Sequence, residues 1–167
     1  MKRLLQIFSS SQLIRPVSKL ILYTIGFLER IWSNIKYRAL VHECSNSICH
    51  FTTEIKYGEN IKVGKDTRIG KNCTLGGKGG ITIGRNVVLS KFVTIETAGL
   101  DLAEGPPYNH HIAKPIFIED GVWIGTNSSV LSGITIGKNS IIGAGVVVTK
   151  DIPANSIIVG LGNRNLK

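Results

Sequence analysis

Aliphatic residues recur every six positions through most of the chain, and this period limits the fold more than any other feature. Glycine often follows the aliphatic residue, and a small or β-branched residue often comes four positions after it. A helix repeats near 3.6 residues and an ordinary strand alternates by two, so a period of six fits neither. It predicts short strands with a turn every six residues, three to a coil, and stacked inward-facing aliphatic residues. The positions are Val63, Ile69 and Leu75, then Ile83, Leu89 and Ile95, then Ile118, Ile124, Val130, Ile136, Ile142 and Val148.

Two interruptions divide the repeat. A glycine-rich step lies at residues 76–80, and a longer insertion covers about 98–114. The spacing predicts about four coils, beginning at Val63, Ile83, Ile118 and Ile136. The alternative, an antiparallel sandwich, has wider and less regular turn spacing. The period does not determine the hand, although the general rule for crossovers favours a right-handed one.

The sequence before the repeat predicts a helical arm over residues 1–50, ahead of a β-helix domain over residues 51–167. Residues 1–40 hold seven basic residues and one acid. Apolar residues recur there at spacings of three and four, which predicts a basic amphipathic helix ending before His42. This helix would pack against the first coils or attach to an anionic membrane surface. The apolar positions are Val17, Leu20, Ile21, Leu28, Ile31, Trp32 and Ile35.

Charge and hydropathy exclude several classes of protein. The net charge is +9, but most of the excess is N-terminal, and no nucleic-acid motif appears, so no nucleic-acid partner is expected. The apolar run from Leu20 to Leu28 is too short for a spanning helix, which needs about 20 residues. The signal-like start breaks at Ser9. We expect a cytoplasmic protein that acts at most at the inner face of the membrane.

The three cysteines form an odd set without a disulfide framework, which indicates a reducing compartment. His42, Cys44, Cys49 and His50 have the residue types of a zinc site. However, the adjacent Cys49 and His50 would point to opposite faces of a strand. Buried thiols and surface imidazoles are therefore favoured, and no metal is expected.

Three stretches carry a resemblance to a known family: residues 114–125, 133–137 and 142–153, the last reading Ile142-Gly143-Ala144-Gly145 through Pro153. They resemble the hexapeptide-repeat acyltransferases, and are similar to galactoside and maltose O-acetyltransferases and to acetyltransferases of surface-polysaccharide pathways. The resemblance implies an all-β chain folded as a left-handed parallel β-helix, preceded here by the helical arm. It also implies a homotrimer, an acyl-CoA held between subunits, and catalytic residues in the insertion.

Histidine is the expected general base, because an imidazole pKa near 6.5 suits proton transfer at neutral pH. In galactoside-type relatives the base directly follows a Thr-Gly or Ala-Gly step, where this chain has Leu100. His110 and His111 are the only histidines after position 50. Either could be the base, and His111 is favoured because it lies nearer the Lys114-Pro115 anchor. The alternative is that both are solvated loop residues of a chain without activity. Asp101, Tyr108 and Asn109 are the candidate acceptor-binding residues, and Glu104 is a further polar candidate.

Small residues in the last coils suit the extended pantetheine arm of acetyl-CoA, since they let it approach the backbone. Trp123 would line the adjacent turn, and Lys150 and Arg164 would neutralise the phosphates. The C-terminus keeps Gly160 and Arg164 of the family pattern but lacks its Pro-Ala pair. The small candidates are Gly125, Thr126, Gly143, Ala144 and Gly145.

The prediction that follows is an acetyl-CoA-dependent O-acetyltransferase that acts on a saccharide hydroxyl, with surface-polysaccharide synthesis as the expected pathway. Transfer would be direct, with neither a metal nor a covalent enzyme intermediate. The enzymatic alternatives acylate an amino sugar or the hydroxyl of serine. The non-enzymatic alternative is a β-helix that serves as a scaffold subunit.

Overall fold

A long helix precedes a three-sided β-helix in the computed structural model, which describes residues 14–101, 105, 110–160 and 164–166. The helix, α1, spans Ile14–Leu40. A 3₁₀ turn at Gly58–Asn60 joins the first coil to the second. None of the described helices has the length and apolarity to span a bilayer.

The strands form three parallel sheets, and each coil adds one short strand to each sheet. Sheet 1 holds β1 (Glu43–Cys44), β4 (Ile61–Val63), β7 (Ile81–Ile83), β12 (Ile116–Ile118) and β15 (Thr135–Ile136). Sheet 2 holds β2 (Ile48–Cys49), β5 (Arg68–Ile69), β8 (Val88–Leu89), β13 (Trp123–Ile124), β16 (Ile141–Ile142) and β18 (Ile157–Val159), with β19 (Arg164–Asn165) added antiparallel to β18. Sheet 3 holds β3 (Glu54–Lys56), β6 (Thr74–Gly76), β9 (Thr94–Glu96), β14 (Ser129–Val130) and β17 (Val147–Val148).

The strand register reproduces the six-residue repeat. Ile69 pairs with Leu89, which pairs with Ile124, and Ile124 pairs with Ile142. These side chains are buried, as are the repeat residues of the other two sheets, so the aliphatic residues stack in one central core. The expected parallel β-helix, with a helical arm before it, is confirmed.

The expected number of coils was wrong, because the solenoid has about five turns rather than four. The additional coil comes first, and β1, β2 and β3 are its strands. Its core positions are Cys44, Cys49 and Ile55, and the first step is five residues instead of six. The repeat is hard to recognise in this coil, because two of its core positions are cysteines and one spacing between them is five residues. Its first two strands lie within residues 1–50, which were predicted to form the helical arm.

Buried hydroxyls link successive coils inside the core. Thr67 Oγ1 donates to the Gly84 carbonyl at 2.7 Å, and Ser128 Oγ donates to the Gly143 carbonyl at 2.8 Å. Each hydroxyl replaces a lost water contact with a protein hydrogen bond, so its burial carries little penalty. The hydroxyl residues found at some of the positions four after an aliphatic residue are explained by these bonds between coils.

Most corners between sheets contain one residue with left-handed backbone. Between sheets 2 and 3 this position is Asn72, Phe92, Asn127 and Gly145, with φ of 55°, 59°, 60° and 70°. Asparagine and glycine adopt this conformation readily, whereas a bulky aromatic residue does not. Phe92 is therefore a strained exception in an otherwise regular row of turns.

Helix α1 joins the solenoid through its last turns. The buried Tyr37 hydroxyl hydrogen-bonds to the Ser47 hydroxyl at 2.9 Å, and Phe51 N donates to Ser33 Oγ at 2.9 Å. Lys36 Nζ donates to the carbonyls of Phe51 and Thr53 at 2.7 and 2.8 Å. The end of the helix is thereby fixed to the first coil.

Candidate active site

The insertion between the third and fourth coils forms a hairpin at the corner between sheets 3 and 1. Strand β10 (Ala98–Leu100) pairs antiparallel with β11 (His111–Ala113), so that Leu100 faces His111 in register. Asp101 N donates to the His110 carbonyl at 2.9 Å and extends this pairing. Both histidine side chains are exposed. Tyr108, Asn109 and Glu104 lie outside the described residues.

The base of the hairpin is fixed to the solenoid. Lys114 N donates to the Thr97 carbonyl and to Ser132 Oγ, both at 3.1 Å, and Ser132 Oγ donates to the same carbonyl at 2.7 Å. Thr97 itself is fully buried. His111 lies three residues from this anchor, so its backbone position is well defined by the fold.

The five small residues expected to contact a pantetheine arm lie together at the corner between sheets 2 and 3. Gly145 N donates to the Thr126 carbonyl at 2.9 Å, which stacks the turn of the fifth coil on that of the fourth. A Cβ added to Gly125 would lie 2.6 Å from Ala144 N, so coil stacking alone requires glycine there. A Cβ added to Gly145 meets no atom within 4 Å, so this turn is open to solvent.

Trp123 lies beside this corner, and its side chain points outward from sheet 2. Its side chain is 53% exposed, and its indole Nε1 donates to Ser90 Oγ at 3.0 Å. This bond to the preceding coil orients the ring across the sheet surface. An oriented and exposed indole offers an apolar face for a ligand.

The two cations expected at the donor site are placed differently. Lys150 follows β17 and precedes the bridge between Ile152 and Ile136, which puts it at the corner between sheets 3 and 1. Arg164 pairs with Val159 at the edge of sheet 2. The structure thus groups Trp123 with the small residues but separates Lys150 from them by the width of sheet 3.

A groove of about 1010 Å³ separates α1 from the corner between sheets 2 and 3. Arg30, Lys71 and Lys91 line it, together with Glu29 and Thr126. His50 also lines the groove, and its pKa is lowered first by burial and then by the Lys71 charge. These features favour an anionic ligand.

The groove lysines were not among the residues predicted from the sequence, although the repeat contains a signal for them. Lys71 and Lys91 each come two positions after a core aliphatic residue, as Thr126 follows Ile124. Positions with the same phase in the repeat stack on the same corner. The repeat does not give the position of α1, which forms the opposite wall of the groove.

The imidazoles and the small-residue turns occupy different corners of the same chain. The hairpin projects from the corner between sheets 3 and 1, whereas the turns at Thr126 and Gly145 lie at the corner between sheets 2 and 3. Sheet 3 separates them. A ligand lying along the small residues would therefore be separated from the histidines of its own chain by the width of sheet 3.

The thiols are not arranged as a metal or nucleophile site. Cys49 and Cys73 are buried in the core, and Cys44 is partly buried, with Sγ donating to the Val41 carbonyl at 3.2 Å. Burial raises the pKa of Cys49 to about 11. Over the ranges 14–101 and 110–160, no three His, Cys, Asp or Glu side chains are grouped to hold a metal ion.

Comparison with known proteins supports the fold assignment. The family described as "Bacterial transferase hexapeptide (six repeats)" matches residues 115–150, and the "Hexapeptide repeat of succinyl-transferase" matches residues 60–91. The galactoside O-acetyltransferase of Escherichia coli is 37% identical over 118 residues, which cover 66% of this chain and 55% of that protein. The chain spans about half the length of the curated relatives that it matches.

Solved structures match over more of their length. A hexapeptide-repeat containing acetyltransferase from Vibrio cholerae, complexed with acetyl coenzyme A, is 32% identical with a TM-score of 0.74, over 78% of this chain and 73% of that one. A maltose O-acetyltransferase from Clostridium difficile is 33% identical with a TM-score of 0.72, over 85% and 82%. The repeat, the solenoid and these similarities together show that the chain belongs to the hexapeptide-repeat transferase family.

Proposed function

We propose that the protein is an acetyl-CoA-dependent O-acetyltransferase that acts on a saccharide hydroxyl, in the synthesis of a surface polysaccharide. The observation that carries the proposal is the anchored hairpin, which presents two exposed imidazoles beside a regular solenoid. The names of the E. coli and C. difficile relatives point to galactoside and maltose acceptors, and the V. cholerae relative binds acetyl coenzyme A.

In the proposed reaction, His111 or His110 takes the proton of the acceptor hydroxyl. The hydroxyl oxygen attacks the thioester carbonyl, the C–S bond breaks, and the coenzyme A sulfur leaves and takes the proton from the imidazolium. General base catalysis of this kind contributes about a hundredfold or more to the rate. Asp101, Tyr108 and Asn109 are proposed to hold the acceptor, since they belong to the same insertion as the histidines.

Direct transfer is supported by the surroundings of the thiols. A nucleophilic cysteine is an exposed thiolate with a lowered pKa. Here Cys49 and Cys73 are buried, and burial raises the pKa of both. Neither thiol is placed to accept an acetyl group.

The donor is proposed to lie along Gly125, Thr126, Gly143, Ala144 and Gly145, with its apolar part against Trp123. Lys150 and Arg164 remain candidates for the phosphates of coenzyme A. We add Lys91, because it shares the corner and the groove with Thr126. A phosphate beside this groove would gain charge-assisted hydrogen bonds.

A homotrimer is part of the proposal. The imidazoles and the small-residue turns lie at different corners of one chain, so a complete site forms where two copies meet. Closed cyclic symmetry would repeat that contact three times. Light scattering coupled to size exclusion should give three times the monomer mass of 18.1 kDa; an active monomer would contradict it.

The deciding experiment measures thiol release from acetyl-CoA with a panel of acceptors. We expect turnover with neutral saccharides and their glycosides above that with amino sugars or serine. Faster turnover with an amine would favour the N-acyltransferase alternative. Absence of coenzyme A binding by calorimetry would favour the scaffold alternative and contradict the proposal.

A further inference from the structure

Helix α1 turns its polar side towards the solenoid and contacts it through its last turns. Gly26, Glu29, Arg30 and Ser33 line the groove, and Tyr37 is buried against the first coil. These positions recur at spacings of three and four, so they form one stripe along the helix. An amphipathic helix of a globular protein normally turns its apolar side to the core. In this chain the orientation is reversed.

The opposite side of α1 is a long apolar surface without cover, which we call the outer face. At 100° per residue its members lie within about 160° of the helix circumference, opposite the stripe that lines the groove. Leu20, Leu28 and Trp32 are 63%, 62% and 58% exposed. The outer face consists of Val17, Leu20, Ile21, Ile25, Phe27, Leu28, Ile31, Trp32 and Ile35, all exposed.

This surface joins nine exposed apolar side chains along one helix. The helix has 27 residues and is therefore about 40 Å long. Contiguous exposed apolar patches of this kind mark protein or membrane contacts. We therefore expect the outer face to be covered by another molecule or by a membrane.

We propose that the outer face docks in the plane of an anionic membrane surface, with the solenoid held above it by the groove side of α1. The net charge of the segment supports an anionic surface as the occupant, because residues 1–40 hold seven basic residues and one acid. Arg30 lies on the groove side and Lys36 bonds to the first coil, so these two act through the overall charge rather than through direct contact. Arg38 lies five full turns after Leu20 and therefore points in the same direction as this outer-face residue. Long basic side chains can reach phosphates while their stems lie along apolar surface. Trp32 suits the boundary between headgroups and acyl chains. This inference does not depend on the proposed reaction.

A second copy of the chain is a poorer occupant. The described outward positions are mainly polar or charged on sheets 1 and 3. Sheet 2 exposes the apolar Ile48, Trp123 and Ile141, but the groove and the proposed donor turns lie along the same sheet. Two α1 helices meeting face to face would bring like charges together. A bilayer of anionic lipid provides both the apolar layer and the opposite charge.

Flotation of the full chain with vesicles tests the proposal. We expect the protein to float with phosphatidylglycerol-containing vesicles and to bind neutral phosphatidylcholine vesicles much more weakly, with added salt reducing the difference. The variant Leu20→Gln/Leu28→Gln should lose about tenfold or more in partition coefficient, because two exposed anchors are removed.

Leu22→Gln is the matched control. Leu22 is 68% exposed on the same helix, but it lies four and eleven residues before Gly26 and Ser33, on the groove side. It should change the partition coefficient less than about twofold, since it lies off the outer face. Equal loss in both variants would mean that general hydrophobicity, rather than the outer face, drives binding, and would overturn the proposal.

Trp32 provides a direct readout. With Trp123→Phe, Trp32 is the remaining tryptophan of the chain, and vesicles carrying brominated acyl chains should quench its emission. No quenching and no flotation of the wild type would overturn the proposal. If Leu20→Gln/Leu28→Gln instead lowers the oligomer mass of a wild type that does not bind vesicles, the occupant is a second copy.

Discussion

At the scale of residues, the clearest prediction concerns the two imidazoles of the hairpin. His111→Ala should lower kcat about a hundredfold or more with little change in coenzyme A affinity, because a general base acts mainly in the transition state. His110→Ala should raise the acceptor KM more than it lowers kcat. Thiol release at saturating acetyl-CoA measures both, and His42→Ala, another exposed histidine, is the control. Near-normal turnover in both hairpin variants would contradict the site assignment.

Phe92 allows a prediction about stability. Its φ of 59° is unfavourable for a bulky residue, while Asn72 and Asn127 hold the same turn position in neighbouring coils. Phe92→Asn should therefore raise the free energy of unfolding by about 1 kcal/mol. Phe117→Asn is the control, since Phe117 is similarly exposed but lies in a strand. Urea denaturation that shows the same change for both variants would contradict the role of backbone strain.

Cys49 allows a prediction about pH. Burial raises its pKa from 9.0 to about 11, so the folded state keeps this proton at pH values where the unfolded chain has lost it. The contribution of Cys49 to stability is therefore fully present below pH 9 and declines as the pH rises towards 11. The unfolding free energy of Cys49→Val should fall less steeply than that of the wild type between these limits. Identical slopes in pH-dependent denaturation would contradict this linkage.

At the scale of elements, the sequence predicted the regular coils well and the irregular elements poorly. Ile69, Leu89 and Ile124 occupy the core as the repeat requires, since a coil must bury one aliphatic per side. The first coil was not predicted, because Cys44 and Cys49 rather than aliphatic residues occupy its core positions. The hairpin pairing of Leu100 with His111 has no repeat signal, and the side on which α1 packs depends on Ser33 and Tyr37 finding polar partners in the first coil.

The hairpin anchor leads to a prediction at this scale. Ser132→Ala removes the hydroxyl that accepts from Lys114 N and donates to the Thr97 carbonyl. The histidines should then be held less firmly, and kcat should fall about tenfold, since small displacements of a catalytic group are costly. Stability should fall by about 1 kcal/mol. Ser129→Ala in β14 is the control; equal kcat in the two variants would contradict the anchor role.

At the scale of the whole molecule, the arrangement of the corners predicts that subunits complement one another. A chain with His110→Ala and His111→Ala lacks the base, and a chain with Ala144→Trp has a blocked donor turn. Each is expected to be inactive alone. Randomly mixed trimers should regain up to about a quarter of the wild-type activity, because one contact in four pairs an intact hairpin with an intact turn. Co-expression with two affinity tags provides the mixed trimers, and no regain would place the site within one chain.

Lys36 closes the end of the solenoid at which the coils begin. Its ammonium group occupies the carbonyls of Phe51 and Thr53, in the first coil. If the backbone at the end of a solenoid is not covered, it is a template on which another molecule can add its own strands. We therefore expect the helix that carries the outer face also to hinder the end-to-end association of solenoids. Without this helix, the first coil of one molecule could pair with the last coil of another. We therefore expect chains that begin after Leu40 to associate end to end into fibres.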